Sequence, residues 1–203
     1  THTMNNNNTQ QQVNKILDES GLNWQVRKEP LVTASGLQTQ SVGIFRNDND
    51  KWLGTVSNKY IPYQNNDLVD TIVSASEHIG LHIAKGGELG GGKKVYVQLE
   101  LKEEFIGNSS VKRYITALNS HNGRSSIAFG SSNTVVACNN TFFKVYKELE
   151  KFRHHSTAHD KIKLAVLELK NTIAEDMRLM ETFKIMASMP ITDEGIARVI
   201  NNS

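Results

Sequence analysis

The chain has 203 residues, a 38% hydrophobic composition, a formal net charge of +2 and a pI near 8.6. That length supports one sizeable core with a helical appendage, and the plentiful Asn, Ser and Gln predict long polar loops rather than outright disorder. A single cysteine, Cys138, excludes an intramolecular disulfide and a cysteine-rich zinc site. No run reaches the roughly 20 apolar residues of a membrane span and no signal peptide is visible, so a soluble, cytoplasmic protein with no membrane partner is expected.

Thr1-His2-Thr3 before Met4 is read as an addition from expression and set aside. The polar repeat that follows predicts a disordered tail over residues 1–8. Val13, Ile16 and Leu17 recur at helical spacing before Gly21, which predicts an amphipathic helix over 9–20. Residues 24–28 alternate and predict a strand ended by Pro30, whereas 32–39 carries no clear pattern. Two strand-like runs, 41–46 and 52–56, flank the hairpin turn Asn47-Asp48-Asn49-Asp50. One of Asn65, Asn66 and Asp67 is expected to cap a helix whose apolar face is Leu68, Ile72, Val73, Ala75 and Ile79, with Gly80 as its stop.

A second sheet is predicted next, opening at 81–85 and continuing through an alternating strand over 93–101. Strands over 114–118, 125–130 and 134–138 complete it. From Thr141 the pattern turns helical: Phe142, Val145, Tyr146 and Leu149 share one face, and a long helix starts near Ile162 and runs to about Met186. Pro190 breaks it, and Thr192-Asp193-Glu194 caps a short last helix, inside which the chain ends. The expected fold is α+β, an antiparallel β-sheet crossed by one helix and followed by C-terminal helices. Its expected divisions are a tail (1–8), an α+β sheet domain (9–140) and a helical C-terminal region (141–203) packed on that domain or extending from it. This arrangement is similar, at the level of fold alone, to single-strand annealing proteins of recombination.

The most distinctive stretch is Asn119-Ser120-His121-Asn122-Gly123-Arg124-Ser125-Ser126, followed by Val136-Ala137-Cys138-Asn139-Asn140-Thr141. Asn-Gly is a strong signal for a type I′ hairpin turn, here expected between strands 114–118 and 134–138, holding His121 and Arg124 side by side. A planar cation, a titratable ring and several amides suit phosphate and base edges, although a solvated hairpin has the same composition. With Trp52-Leu53-Gly54-Thr55-Val56-Ser57-Asn58-Lys59-Tyr60 and Gly90-Gly91-Gly92-Lys93-Lys94-Val95-Tyr96-Val97, this stretch resembles the phage/plasmid-like domain-of-unknown-function family 932. The resemblance runs from about Val42 to the C-terminus. It implies a phage or mobile-element origin but no reaction, and because relatives usually continue, a shortened form is expected.

Gly86 to Gly92 with Lys93-Lys94 fails the phosphate-loop pattern, since no Gly-Lys-Ser/Thr closes it and a strand follows; a mobile hairpin carrying two lysines is the better reading. Lys144, Lys147, Lys151, Arg153, His154, His155, Lys161 and Lys163 form a basic tract with Phe142, Phe143, Tyr146 and Phe152 interleaved. A solvated helix face paired with Glu148 and Glu150 would read the same way, yet cations that track phosphates beside stacking rings also suit single strands. His155 and His159 are four apart beside Asp160, but Ser156-Thr157 is a poor helix interior and no His-Glu-x-x-His exists, so no metal is expected. Ser120 or Ser125 near His121 could be drawn as a dyad without an orienting acid, which leaves catalysis the weaker case.

The expected function is binding of single-stranded nucleic acid, DNA rather than RNA, through a basic groove, as an annealing or replication accessory that forms a homo-oligomer. Lys93, Lys94, Arg113, Arg124, Lys144, Lys147, Lys151 and Arg153 would meet phosphates, with His154 beside them. Tyr60, Tyr63 and Phe152 would stack, and Asn119, His121, Asn139 and Asn140 would hydrogen-bond backbone or base edges. No cofactor or catalytic residue is assigned. The alternative is a protein-binding or self-assembly module that uses Met177, Met180, Met186 and Met189 on the C-terminal helices. A third reading is a nucleotide-processing enzyme built on His121. Cys138 is expected to be buried, and Asn140 to cap the helix that follows it.

Overall fold

The computed structural model describes residues 2–76, 84–101, 104–106 and 109–188. The chain divides into two compact units, Thr1–Leu169 and Lys170–Ser203. In the first unit helix α1 (His2–Glu19) starts inside the segment expected to be a disordered tail and buries Val13, Ile16 and Leu17. A three-stranded antiparallel meander follows, β1 (Val26–Val32), β2 (Gln38–Arg46) and β3 (Trp52–Ser57), in the order β1-β2-β3. Pro30 does not end β1. It lies inside an edge strand opposite Val42, where a missing N–H leaves no inner ladder broken, and the register slips just after it. The predicted acidic turn joins β2 to β3, with Asp50 at φ 56°.

Helix α2 (Asn65–Ser76) buries Leu68, Ile72, Val73 and Ala75 as expected, while Ile79 and Gly80 lie outside the described residues. Its Asp67 carboxylate accepts the Gln64 N–H at 3.2 Å, which supplies the predicted cap from inside the first turn. The main sheet has five antiparallel strands in the order β10-β9-β8-β5-β4, made of β4 (Ala84–Leu89), β5 (Lys94–Glu100), β8 (Tyr114–Ser120), β9 (Ile127–Ser132) and β10 (Glu150–Phe152). A separate small hairpin pairs β6 (Glu104–Ile106) with β7 (Ser109–Val111). Residues 81–83, the expected opening of the sheet, lie outside the described residues.

Val95 to Leu99 of β5 and all of β8 are buried, so these strands are covered on both faces rather than half-exposed as the alternating pattern predicted. α1 packs on β4 and α2 on β5 and β8. The pleat places Tyr96, Leu118 and Ala128 together on the opposite face, where they form a core with Val136, Phe142, Val145 and Leu149. That face is covered by α3 (Asn139–Glu148), which accounts for the apolar stripe read from Phe142 to Leu149.

Residues 134–138 are not a strand. The edge beside β9 is taken by β10, and a buried side chain replaces the missing neighbour. Gln98 Nε2 donates to the Thr134 carbonyl at 2.9 Å, and Gln98 Oε1 accepts the Val136 N–H at 2.7 Å. Cys138 is exposed, not buried, at the start of α3. The N-cap is Cys138, not Asn140, and Thr141 Oγ1 at the third helical position reaches back to accept the N–H groups of Ala137 and Cys138 at 2.9 and 3.0 Å. Helix α4 (Ala158–Ser188) matches the long predicted helix; Ile162, Ala165 and Val166 are buried in the first unit, and the second unit carries its continuation from Lys170. Pro190 and the last predicted helix lie outside the described residues.

Candidate functional site

The loop from His121 to Ser126 joins β8 to β9, not β8 to 134–138 as expected. It is pinned at both ends. The His121 N–H donates to the Lys93 carbonyl at 2.9 Å, and Asn122 Oδ1 accepts the Ser120 hydroxyl at 2.6 Å and the Arg124 N–H at 3.0 Å. Only Gly123 has positive φ there, at 72°, so the turn is not type I′. What Asn-Gly provides instead is close approach to β3. A Cβ on Gly54 would stand 2.8 Å from Asn122 Cα, and one on Gly123 would stand 2.5 Å from Val56 Cγ1. Two motifs far apart in sequence therefore pack backbone against backbone, and this packing aims residues 124–126.

The opposite wall comes from residues 57–60 and 153–155. The Ile61 N–H donates to the His154 carbonyl at 3.2 Å, and Lys28 Nζ holds the carbonyls of Asn58 and Tyr60 at 2.7 and 2.9 Å. Tyr60 Oη donates to the Ser120 carbonyl at 3.0 Å and ties this wall to the end of β8. Between the walls lies a cleft of about 300 Å³. Lys59, Arg124 and Arg153 line it, together with Ser57, Ser125, Ser126, Tyr60, Tyr146, His154 and His155, and no carboxylate does among the described residues.

Two guanidinium groups elsewhere are neutralised. Arg27 pairs with Glu29 and Asp50 at 2.7 and 2.8 Å; Arg46 pairs with Asp48 and Glu88 at 2.7 Å each while lying 3.9 Å above the Trp24 ring. Lys59, Arg124 and Arg153 form no ion pair among the described residues. Three uncompensated cations converging on one cleft attract anions. Nearby, Lys94 Nζ donates to Asn139 Oδ1 at 2.8 Å and sits 4.2 Å over the ring of Phe143, which is 43% exposed. Partial burial, and then the charge of Arg124, hold the Lys94 ammonium below its ordinary pKa. The Lys94–Phe143 platform is thus electrostatically continuous with the cleft.

His154 is 8% exposed, its ring stacked 4.4 Å from Tyr60 and neither nitrogen in a hydrogen bond. Burial drops its pKa to about 4, against a smaller opposite pull from the backbone of Ile61 and Ser125. Unlike the expected surface pair with Arg124, His121 is 0% exposed; its Nε2 lies 2.9 Å from Asn65 Oδ1. The Asn65 amide donates to the carbonyls of Leu22 and Trp24, both at 3.1 Å, so its oxygen must accept and His121 carries its proton on Nε2. Burial, aided by His154 and Arg46, holds this imidazole at about 3, neutral across the ordinary pH range. Solvent does not reach it, which removes the exposed base that the nucleotide-processing reading needed.

Of the residues predicted for the interface, Arg124, Arg153 and His154 meet at the cleft, while Lys94 starts β5 and Lys93 ends the turn before it. Lys93 Nζ lies 6.0 Å over Trp52, and the three glycines before it take φ of 65°, 68° and 95°, forming a defined turn between β4 and β5. Lys144 and Lys147 are exposed on α3; Lys151 belongs to β10, not to their helical stripe, and its ammonium is held by the carbonyls of Lys147 and Leu149 at 3.2 and 2.7 Å. Arg113 precedes β8, whose seven residues separate it by roughly 20 Å from the cleft, so it does not join the group.

The predicted stacking residues Tyr60, Tyr63 and Phe152 are buried, as is Asn119. Tyr63 Oη bonds Thr71 Oγ1 at 2.7 Å, and Asn119 Nδ2 donates to the Tyr63 carbonyl at 2.7 Å. These four side chains hold the core, and of them only Tyr60 also lines the cleft. Asn139 is committed to Lys94, while Asn140 is exposed. His155 lies outside α4, and His159 Nε2 is 3.4 Å from Asp67 Oδ2, so the spacing of four does not become one helical turn. Lys59 and Ser57 were not assigned from the sequence, and Phe143 and Tyr146 were named only among the aromatics of the basic tract; the fold brings Lys59 and Arg153 to one wall of the cleft.

The molecule so defined is an α+β protein with a cation-lined, carboxylate-free cleft where its separated motifs meet. A family profile described as "Domain of unknown function (DUF932)" matches residues 52–203, and the chain belongs to this family. Comparison with curated proteins and with solved structures gave no significant match.

Proposed function

We propose that this protein binds single-stranded nucleic acid, DNA in preference to RNA, through the cleft and the Lys94–Phe143 platform. It would serve a phage or mobile element in the host cytoplasm as an accessory to annealing, replication or recombination. The observation that carries this reading is the set of three cations, Lys59, Arg124 and Arg153, around one cleft, with no ion pair to them and no carboxylate in its lining among the described residues. Such a site favours a strong anion, and an exposed ring under a lysine gives an unpaired base a surface to stack on. The base-stacking role moves from Tyr60, Tyr63 and Phe152 to Phe143.

The test is fluorescence anisotropy of a labelled single strand across a salt series, with duplex beside it. Affinity should fall steeply with salt and favour the single strand. Arg124→Ala with Arg153→Ala should flatten the log K against log salt slope by about 1.4, or about 0.7 for each phosphate no longer neutralised. Phe143→Ala should cost about 1–3 kcal/mol if one base stacks there. Absence of binding at low salt would overturn the reading.

A specific observation favours a second reading, self-assembly through α4. Leu164 and Leu167 in the first unit, and Met177, Leu179, Ile185 and Met186 in the second, are exposed. The side chain of Met180 and the whole of Met189 lie outside the described residues. A homo-oligomer, as a ring or filament, is compatible with either reading.

A further inference from the structure

We infer that the cleft takes a phosphate monoester, the phosphorylated end of a nucleic-acid strand, rather than a stretch of internal backbone; the inference rests on the nucleic-acid reading above. The first reason is charge. An internal phosphodiester carries one negative charge, whereas a monoester carries about 1.5 to 2 near neutral pH together with three strong acceptor oxygens. Lys59, Arg124 and Arg153 bring three positive charges to one space, with no carboxylate lining it to offset them.

The second reason is size. At about 300 Å³ the cleft stands at the lower end of pockets that enclose a small ligand. Three cations that line one space of this size can close together on a single phosphate group. The third is donor supply. Ser57, Ser125 and Ser126 line the same space, and a monoester offers their hydroxyls a third terminal oxygen that a diester lacks. The close approach of Gly54 to Asn122 fixes the backbone of the loop that carries Arg124 before a ligand arrives.

The experiment compares one single-stranded sequence in three forms, with a 5′-phosphate, a 3′-phosphate or hydroxyls at both ends, at one fixed salt concentration. One phosphorylated form should bind at least about tenfold tighter than the hydroxyl form, and the end that gains identifies the polarity. Lys59→Ala and Arg124→Ala, both exposed, should abolish the preference while the melting temperature is kept. Equal affinities with salt-sensitive binding retained would overturn the monoester inference and leave the nucleic-acid reading standing. If no oligonucleotide binds, that reading falls, and inorganic phosphate alone decides the site. A shift of the His154 ring signal by NMR at millimolar phosphate would sustain a phosphate pocket; no shift would overturn it.

Discussion

Gly54 is the residue on which the cleft's geometry turns. It occupies β3 with ordinary strand neighbours, but the space above its Cα is filled by the Asn122 backbone, whose carbonyl oxygen would stand 2.8 Å from an added Cβ. Backbone cannot rotate aside as a side chain can. Gly54→Ala should therefore cost about 1–3 kcal/mol through overpacking, read as a lower urea midpoint at unchanged m. The same substitution should weaken strand binding, because it lifts the loop that aims Arg124. Full stability would show that the two backbones can separate without penalty. Cys138 behaves differently from its neighbours' composition. Apolar residues before it suggested burial, yet the thiol lies at the start of α3, where hydrogen bonds from the Thr141 and Asn140 regions lower its pKa.

Among the elements, segment 134–138 and helix α4 diverge most from local expectation. Val135, Val136 and Ala137 have strand composition, but a ladder needs a free neighbouring edge, and Gln98 instead satisfies the two backbone groups that matter. Helix α4 obeys its periodicity over Ile162, Ala165 and Val166 while leaving Leu164 and Leu167 exposed on another face. If that face joins copies of the chain, Leu164→Glu with Leu167→Glu should reduce the mass measured by light scattering to that of a monomer, with stability changed by no more than about 0.5 kcal/mol. A wild-type protein already monomeric at micromolar concentration would rule out this interface.

For the molecule as a whole, two buried neutral imidazoles set the response to acid. His121 and His154 have pKa values of about 3 and about 4 in the folded state, both depressed below the ordinary histidine value of 6.5. Below pH 6.5 the unfolded chain takes up protons that the folded chain refuses, so stability rises with pH through this window and is lost as pH falls from about 6.5 towards 4. Each histidine contributes a slope of up to about 1.4 kcal/mol per pH unit. Chemical denaturation at pH 7, 6 and 5 should show steep loss, and His121→Gln should roughly halve the slope. A flat profile from pH 7 to 5 would mean that both rings take up protons in the folded state as they do in the unfolded chain.

The chain's local patterns were enough for the α+β class, the 47–50 turn, the helical face from Phe142 to Leu149 and the family, because periodicity, turn chemistry and short motifs are properties of neighbouring residues. The same patterns put Arg124, Arg153 and His154 among the candidate residues. They could not separate the tyrosines and His121, which hold the core, from the cations, which line the cleft, since both kinds of residue sit in equally polar stretches. That separation depends on what lies across the fold. Asn65 and Tyr63 on and beside α2 take up His121 and Asn119, Ser120 takes up Tyr60, and no carboxylate comes to Lys59, Arg124 and Arg153. Burial and ion pairing are relations between distant residues, and only the tertiary structure decided them.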